Sequence, residues 1–367
     1  MQASSRIWRH FDVWLLAAVS VLTISGVALI QSAIGGNPYQ ADLPSRQAVW
    51  AAIGLAVVLI VAAIDYRLWS SLSRPIYIAT LVILGFILAG GYAGFGATRW
   101  FNLGIAYIQP SEVAKIGMIL VLADYFARHQ QEIARFKTVG RSLLLVSVPA
   151  VLIFLQPDLK TTVILAVIWL AIAWAAGLRP RHLAVLIVAG SMVPFLAWPS
   201  LKPYQQARVI QFVFPDPEAQ YGATYNVNQA LIAIGSGGWF GQGYGVGTQV
   251  QLRFLKVRHT DFMFSVISQE FGFIGAVVVL LLLAFVIYRC LRAARLARDT
   301  FGGLICYGVA VLFLLQVAFN VGMNLNIFPV SGLTLPFLSY GGSSLVASLL
   351  AIGLVESVLL RHKRIEF

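Results

Sequence analysis

Charge is what this chain has least of. Asp, Glu, Lys and Arg make up 11% of its 367 residues, where a soluble domain carries about 25%. The shortage is sharpest among acids: 14 Asp and Glu stand against 26 Lys and Arg. So little charge cannot clothe a water-facing surface, which excludes an ordinary soluble enzyme. Cysteine is also scarce. Cys290 and Cys306 are the two present, both expected on a reducing side, so no disulfide framework or cysteine metal site is implied. No repeat, low-complexity tract or linker divides the chain, and residues 1–367 read as one membrane domain.

What fills the chain instead is hydrocarbon, 59% of residues. Apolar runs of the ~20 residues that cross a bilayer as helix fall near 12–33, 48–64, 75–95, 112–128, 142–155, 161–177, 182–198, 262–288, 302–323 and 344–360. The expected fold is therefore an all-α polytopic membrane protein with ten transmembrane helices. The first run is longer than the apolar core of a signal peptide and lacks an Ala-x-Ala end, so it reads as an uncleaved helix. With the N-terminus inside, 17 of the 26 basic residues fall in cytoplasmic segments, which places both termini in the cytoplasm. The formal charge of +12 then reports topology and inner-leaflet lipid contact, not a nucleic-acid face.

One connection is unlike the others. The extracytoplasmic loop from about 199 to 261, between helices 7 and 8 of this scheme, is too long to be idle. Its "ATYNVNQALIAIG" reads as a short amphipathic helix over 223–235. The glycine-rich "GSGGWFGQGYGVGTQ" that follows lacks the Gly-Lys-Ser/Thr ending of a P-loop and reads as compact turns close to a ligand or the membrane.

Four polar motifs precede even-numbered helices and so share the outer side: "IQPSEVAK", "LQPDLKTT", "RHTDF" and "LPFLSYGGSS". Helix N-termini facing one compartment suit a phosphate or diphosphate. In the first, Pro110 fits the opening helical position, with Gln109 as cap, Glu112 in a capping-box position, and Lys115 one turn on. Ser111, Asp158, His259, Thr260, Ser339 and Ser343 lie in the same motifs, and Arg46, Arg99 and Arg208 are outer-side cations; all are candidate cavity residues. Each also has a plain structural reading as cap, headgroup contact or hydrogen-bonder. Asp261 in particular reads equally as an N-cap or a catalytic base.

With these stretches the chain resembles the SEDS family (shape, elongation, division and sporulation) of RodA and FtsW type. The resemblance rests on "RWFNLGIAYIQPSEVAK", "QPDLKTT", "AIGSGGWFGQGYGVGTQ", "RHTDFMFSVISQEFG" and "NVGMNLNIFPVSGLTLPFLSYGGSSL", and "NVGMN" leans toward RodA. It implies a peptidoglycan glycosyltransferase that polymerises lipid II at the outer face of the cytoplasmic membrane, in cell elongation and shape control. The implied partner is a class B penicillin-binding protein, and the essential residue is Asp261. A lipid II flippase and an FtsW-like division polymerase are the alternatives. The chain departs from the family pattern at Lys256-Val257, where Pro-Glu is usual, at Gln269, where an acid is common, and at Lys160, where Gly is usual. Asp261 would act as general base on the acceptor hydroxyl, with leaving-group charge met by Lys115, Arg46 or Arg208. A divalent cation, Mg2+ or Mn2+, stays open, with no ligand motif to hold it.

Overall fold

The computed structural model describes residues 10–90, 92–94, 97–102, 107–215 and 222–362. Its long helices are α1 (Val13–Ala33), α2 (Leu43–Ala63), α4 (Ser73–Gly90), α5 (Pro110–Arg128), α6 (Phe136–Leu155), α7 (Leu159–Ala175), α8 (Pro180–Ala197), α12 (Met263–Leu296), α13 (Thr300–Asn324) and α14 (Gly342–Leu360), with the short α3 at Arg67–Ser71. Within the 199–261 loop lie α9 (Pro203–Val213), α10 (Gly222–Ser236) and α11 (Thr248–Gln251). The helix expected over 223–235 is therefore present as α10.

The expectation of ten transmembrane helices is not met: among the described residues seven helices are long and apolar enough to cross a membrane. Three of the apolar runs fall short for physical reasons. Those near 75–95 and 161–177 yield apolar helices, Ser73–Ala89 and Leu159–Ala175, in the 10–17 residue range, below the ~20 that match a hydrocarbon core. The third, α5, carries Glu112, Lys115, Asp124 and Arg128 along its length. The fold also departs from all-helical: β1 (Tyr92–Gly94), β2 (Ala97–Asn102) and β3 (Tyr107–Ile108) form a small antiparallel sheet in the order β1-β2-β3.

The core lies where α5, α13 and α14 meet. Most residues of α5 and α14 are buried, whereas in α8 His182 alone is buried, with Leu183 and Leu186 packed partly against the core. The pairing of α2 with α14 is close because glycine allows it. A Cβ added to Gly353 would stand 2.9 Å from Val61 Cβ and 3.0 Å from Val58 O, a small-residue approach typical of helices packed in lipid.

One end of the bundle is tied by charge. Asp12 caps α1, accepting from Leu15 N at 3.0 Å, and also accepts from Arg289 Nε at 2.6 Å, while its own N–H donates to Glu356 Oε2 at 3.0 Å. Arg361 donates to Ala62 O at 3.0 Å and Ala63 O at 2.7 Å, satisfying the C-terminal carbonyls of α2. The rings of His10 and His362 lie 4.9 Å apart, so the two described ends of the chain meet here.

At the other end α12 is broken. Gly272 has φ 68° and ψ −166°, a backbone that costs non-glycine residues dearly. The glycine-rich segment fills the gap in the helix ladder. Gln242 N and Gly243 N donate to Gln269 O and Glu270 O at 2.9 and 3.0 Å, and Phe273 N and Ile274 N donate to Gly238 O and Trp239 O at 2.8 and 3.2 Å. Irregular backbone at membrane depth is tolerated where protein satisfies it in this way. So close a contact requires bare backbone: a Cβ on Gly241 would meet Glu270 O at 2.1 Å. The "GSGGWFGQGYG" run is thus the complement of the α12 break.

Candidate active site around Asp261

The short upper piece of α12, Met263 to Phe271, begins at the bundle end opposite the chain ends, and Asp261 lies just before it. Phe262 is the N-cap and makes no side-chain cap bond. The cap comes from another helix. Asn324 of α13 accepts from Ser265 N at 3.2 Å and from Ser265 Oγ at 2.6 Å. Its Nδ2 and that of Asn320 donate to the main-chain oxygen of Asp261 at 3.2 and 3.0 Å, and Asn320 also donates to Leu333 O at 2.6 Å. Both asparagines are fully buried. Asp261 is therefore anchored through its backbone, and its carboxylate is not consumed as the cap.

The segment after α13 closes around the same point. Tyr340 N donates to His259 O at 2.8 Å, and Ser339 Oγ donates to Thr260 O at 2.6 Å. Gln47 of α2 then binds the Ser339–Gly341 backbone, donating to Ser339 O at 3.3 Å and accepting from Gly341 N at 3.2 Å. Gly332, in left-handed backbone at φ +72°, faces the carboxylate: a Cβ there would lie 3.4 Å from Asp261 Oδ2 and 3.8 Å from Lys160 Nζ. The Lys160 ammonium donates to Gly332 O.

Beside this cluster a cavity of about 160 Å3 opens between the start of α7, α9 and residues 329–333. Lys160 and Arg208 line it with Asp158, Tyr204 and Ser331, over an apolar floor that includes Val163, Phe319 and Leu333. Arg208 Nη1 donates to Val330 O at 3.3 Å, and its guanidinium sits 5.8 Å from the Tyr204 ring centroid. Such a space, two cations above an apolar floor, suits an anionic headgroup on a greasy tail.

Burial pushes the Asp261 carboxyl above its ordinary 3.8; the Lys160 charge, a hydrogen bond with Thr260 and the Arg208 charge pull the other way. His259 is driven down to about 4, by burial and then by Arg258, so it is neutral at pH 7.

The other sequence candidates fall into three groups. Asp158 caps α7, accepting from Thr161 N at 3.4 Å and Thr161 Oγ1 at 2.9 Å, and it also accepts from Gln109 Nε2 at 3.1 Å and Ser111 Oγ at 3.3 Å. Gln109 is the N-cap residue of α5 with Pro110 next, but the side-chain cap is absent: Glu112 turns instead to Lys115 at 3.0 Å. That pair is buried, and each charge neutralises the other. Arg46 is half exposed and paired with Asp42 at 2.8 Å, and Ser343 is in the first turn of α14. The side chain of Arg99 is outside the described residues.

Sequence reading missed three residues. Asn320 and Asn324 act on main-chain atoms 59 to 63 positions away, and no local pattern marks such a contact. Lys160 was legible only as an oddity in "QPDLKTT". Among the described residues no group of three or more His, Cys, Asp or Glu side chains could hold a metal ion.

Known proteins resemble this chain along nearly its whole length. A family model described as "Cell cycle protein" (FtsW, RodA and SpoVE) matches residues 7–364. The chain is 35% identical over 355 residues to the peptidoglycan glycosyltransferase MrdB of Escherichia coli K12, covering 96% of this chain and 95% of that protein. It is 38% identical over 352 residues to a probable peptidoglycan glycosyltransferase FtsW of Thiomicrospira cyclica, covering 93% and 89%. Among solved structures it resembles a chain from a work on structural coordination of polymerization and crosslinking by a peptidoglycan synthase complex, with TM-score 0.81, 32% identity and coverage of 96% and 97%. It also resembles the rod shape determining protein RodA of Thermus thermophilus, with TM-score 0.70, 31% identity and coverage of 96% of each chain. With these matches over nearly its whole length, the chain belongs to the FtsW, RodA and SpoVE family of cell cycle proteins.

Proposed function

We infer that this chain is a peptidoglycan glycosyltransferase of the RodA and FtsW type, a multi-pass bacterial membrane protein that extends glycan from lipid II. The observation that supports the mechanism is that Asn324 caps α12, so the Asp261 carboxylate is not spent on the helix cap and lies beside a cavity lined by Lys160 and Arg208. Asp261 acts as general base. It takes the proton of the acceptor 4-hydroxyl as that oxygen bonds to C1 of the lipid-linked donor. The C1–O bond to the diphosphate breaks and its electron pair leaves on undecaprenyl diphosphate, so inversion gives a β-1,4 link. A carboxylate near 4 is a weak base, and burial strengthens it.

The whole chain works as one membrane domain. The end where His10 meets His362 also carries Arg128, Arg289, Arg292 and Arg361, and that basic bias supports a cytoplasmic placement for both termini. Asp261 then faces the extracytoplasmic side, where no nucleotide is at hand and the energy for bond formation has to arrive in the substrate. A class B penicillin-binding protein is the partner that would cross-link the product, in keeping with the synthase complex of the similar structure.

The test is glycan synthesis from purified lipid II by wild type and Asp261→Ala, each with the partner. Polymer from the wild type alone supports the assignment. Protein-dependent lipid II translocation in vesicles, with no polymer from either form, would replace it with a flippase.

A further inference from the structure

We propose that Lys160 is a substrate-contacting catalytic residue of this chain: its ammonium spans the space between the Asp261 carboxylate and the adjoining cavity, where it neutralises the diphosphate of the lipid-linked donor as the bond to C1 breaks. The inference rests on the glycosyltransferase reading and deepens it by placing the donor diphosphate on the Lys160 and Arg208 side of Asp261.

Three observations converge on it. Lys160 follows Leu159 in the first turn of α7, whose N-cap Asp158 is held by Gln109, Ser111 and Thr161, so the base of the lysine is fixed by a bonded cluster. Its tip donates to Gly332 O and lines the cavity. An ammonium has three N–H donors, so this contact leaves others for an anion. Gly332, finally, has no side chain to intervene: its outer face lies 3.4 Å from Asp261 Oδ2 and 3.8 Å from Lys160 Nζ, so base and cation border one space.

The remaining cations of the region are otherwise engaged or differently placed. Lys115 is bound to Glu112, and Arg46 is paired with Asp42 at the surface. Arg258 donates to Ala33 O, Leu255 O and Ile34 O. Arg208 shares the cavity, so two positive charges face a leaving group that gains negative charge as C1–O breaks. Charge placed where it develops lowers the barrier more than it tightens the ground state.

The experiment compares wild type, Lys160→Met and Lys160→Arg in the partner complex, measuring kcat, KM for lipid II and the pH–rate profile. Asp261→Ala serves as the control for the underlying reading. Lys160→Met is expected to lower kcat by on the order of 10²-fold with a smaller change in KM. Its acidic limb is expected at higher pH, because the groups acting on Asp261 are Lys160, Thr260 and Arg208, and removing one cation makes the carboxylate harder to ionise. Lys160→Arg should restore most of the rate. If Asp261→Ala is inactive while Lys160→Met keeps wild-type kcat and profile, the lysine has no such role and the Asp261 assignment stands. If Asp261→Ala keeps full activity, the underlying reading has failed, whatever Lys160→Met does.

Discussion

At the scale of the residue, the local question was whether Asp261 caps a helix or does chemistry, and the answer sits 63 positions away. Asn324 takes over the cap, and with Asn320 it holds the Asp261 carbonyl. Asn324→Ala removes a buried acceptor from Ser265 N and a donor to Asp261 O. We expect a loss of about 1–3 kcal/mol, read as a lower unfolding temperature in detergent, and a fall in kcat larger than that of Asn320→Asp at equal protein folded. On the proposed mechanism the wild-type pH–rate profile is set by the same carboxyl. Because burial raises its pKa, the base is ionised, and active, only above that raised value. Activity should fall as pH drops through a point above 3.8, measured as initial polymerisation rate. The polar motifs marked Asp261 as a candidate in advance. Lys160, Asn320 and Asn324 were not marked, since their contacts join segments far apart in the chain through main-chain oxygens that carry no sequence signature.

At the scale of the element, α12 is two helices joined at Gly272, and the glycine-rich segment supplies the hydrogen bonds that the break removes. Hydropathy reads the 262–288 run as continuous, because apolar side chains persist through a break that only backbone angles reveal. The 112–128 run reads as a span, although Glu112, Lys115, Asp124 and Arg128 punctuate α5. Gly272→Ala puts a Cβ 2.4 Å from Gly241 N at a φ of +68°, and strain of that kind costs about 1–3 kcal/mol before the clash is counted. We expect Gly272→Ala and Gly241→Ala each to lower thermal stability and to abolish most glycan synthesis, because the piece of helix that aims Asp261 loses its brace. Gly243→Ala, whose Cβ would meet only Val246 Cγ2 at 3.8 Å, should be milder in both measurements apart from the strain of its positive φ.

At the scale of the whole molecule, seven helices among the described residues meet the length and polarity of a membrane span, and the start of the shorter α7 joins α9 and residues 329–333 in lining the cavity beside Asp261. The Asp261 carboxylate and the Lys160 and Arg208 cations lie beside the apolar side chains of Val163, Phe319 and Leu333. The sidedness is open to direct test. Cys290 and Cys306 are buried, so a cysteine introduced at exposed Lys256 should react with an impermeant thiol reagent in intact spheroplasts, and one at exposed Arg298 only after permeabilisation. The reverse pattern would invert the molecule. The most direct test of the proposed chemistry is the initial rate of lipid II polymerisation, across pH, for Asp261→Asn beside wild type in the partner complex. The amide keeps the shape and the backbone anchors but cannot take a proton. The rate should drop by about 10²–10⁴-fold and lose its acidic limb; an unchanged rate with the same limb would contradict Asp261 as the base.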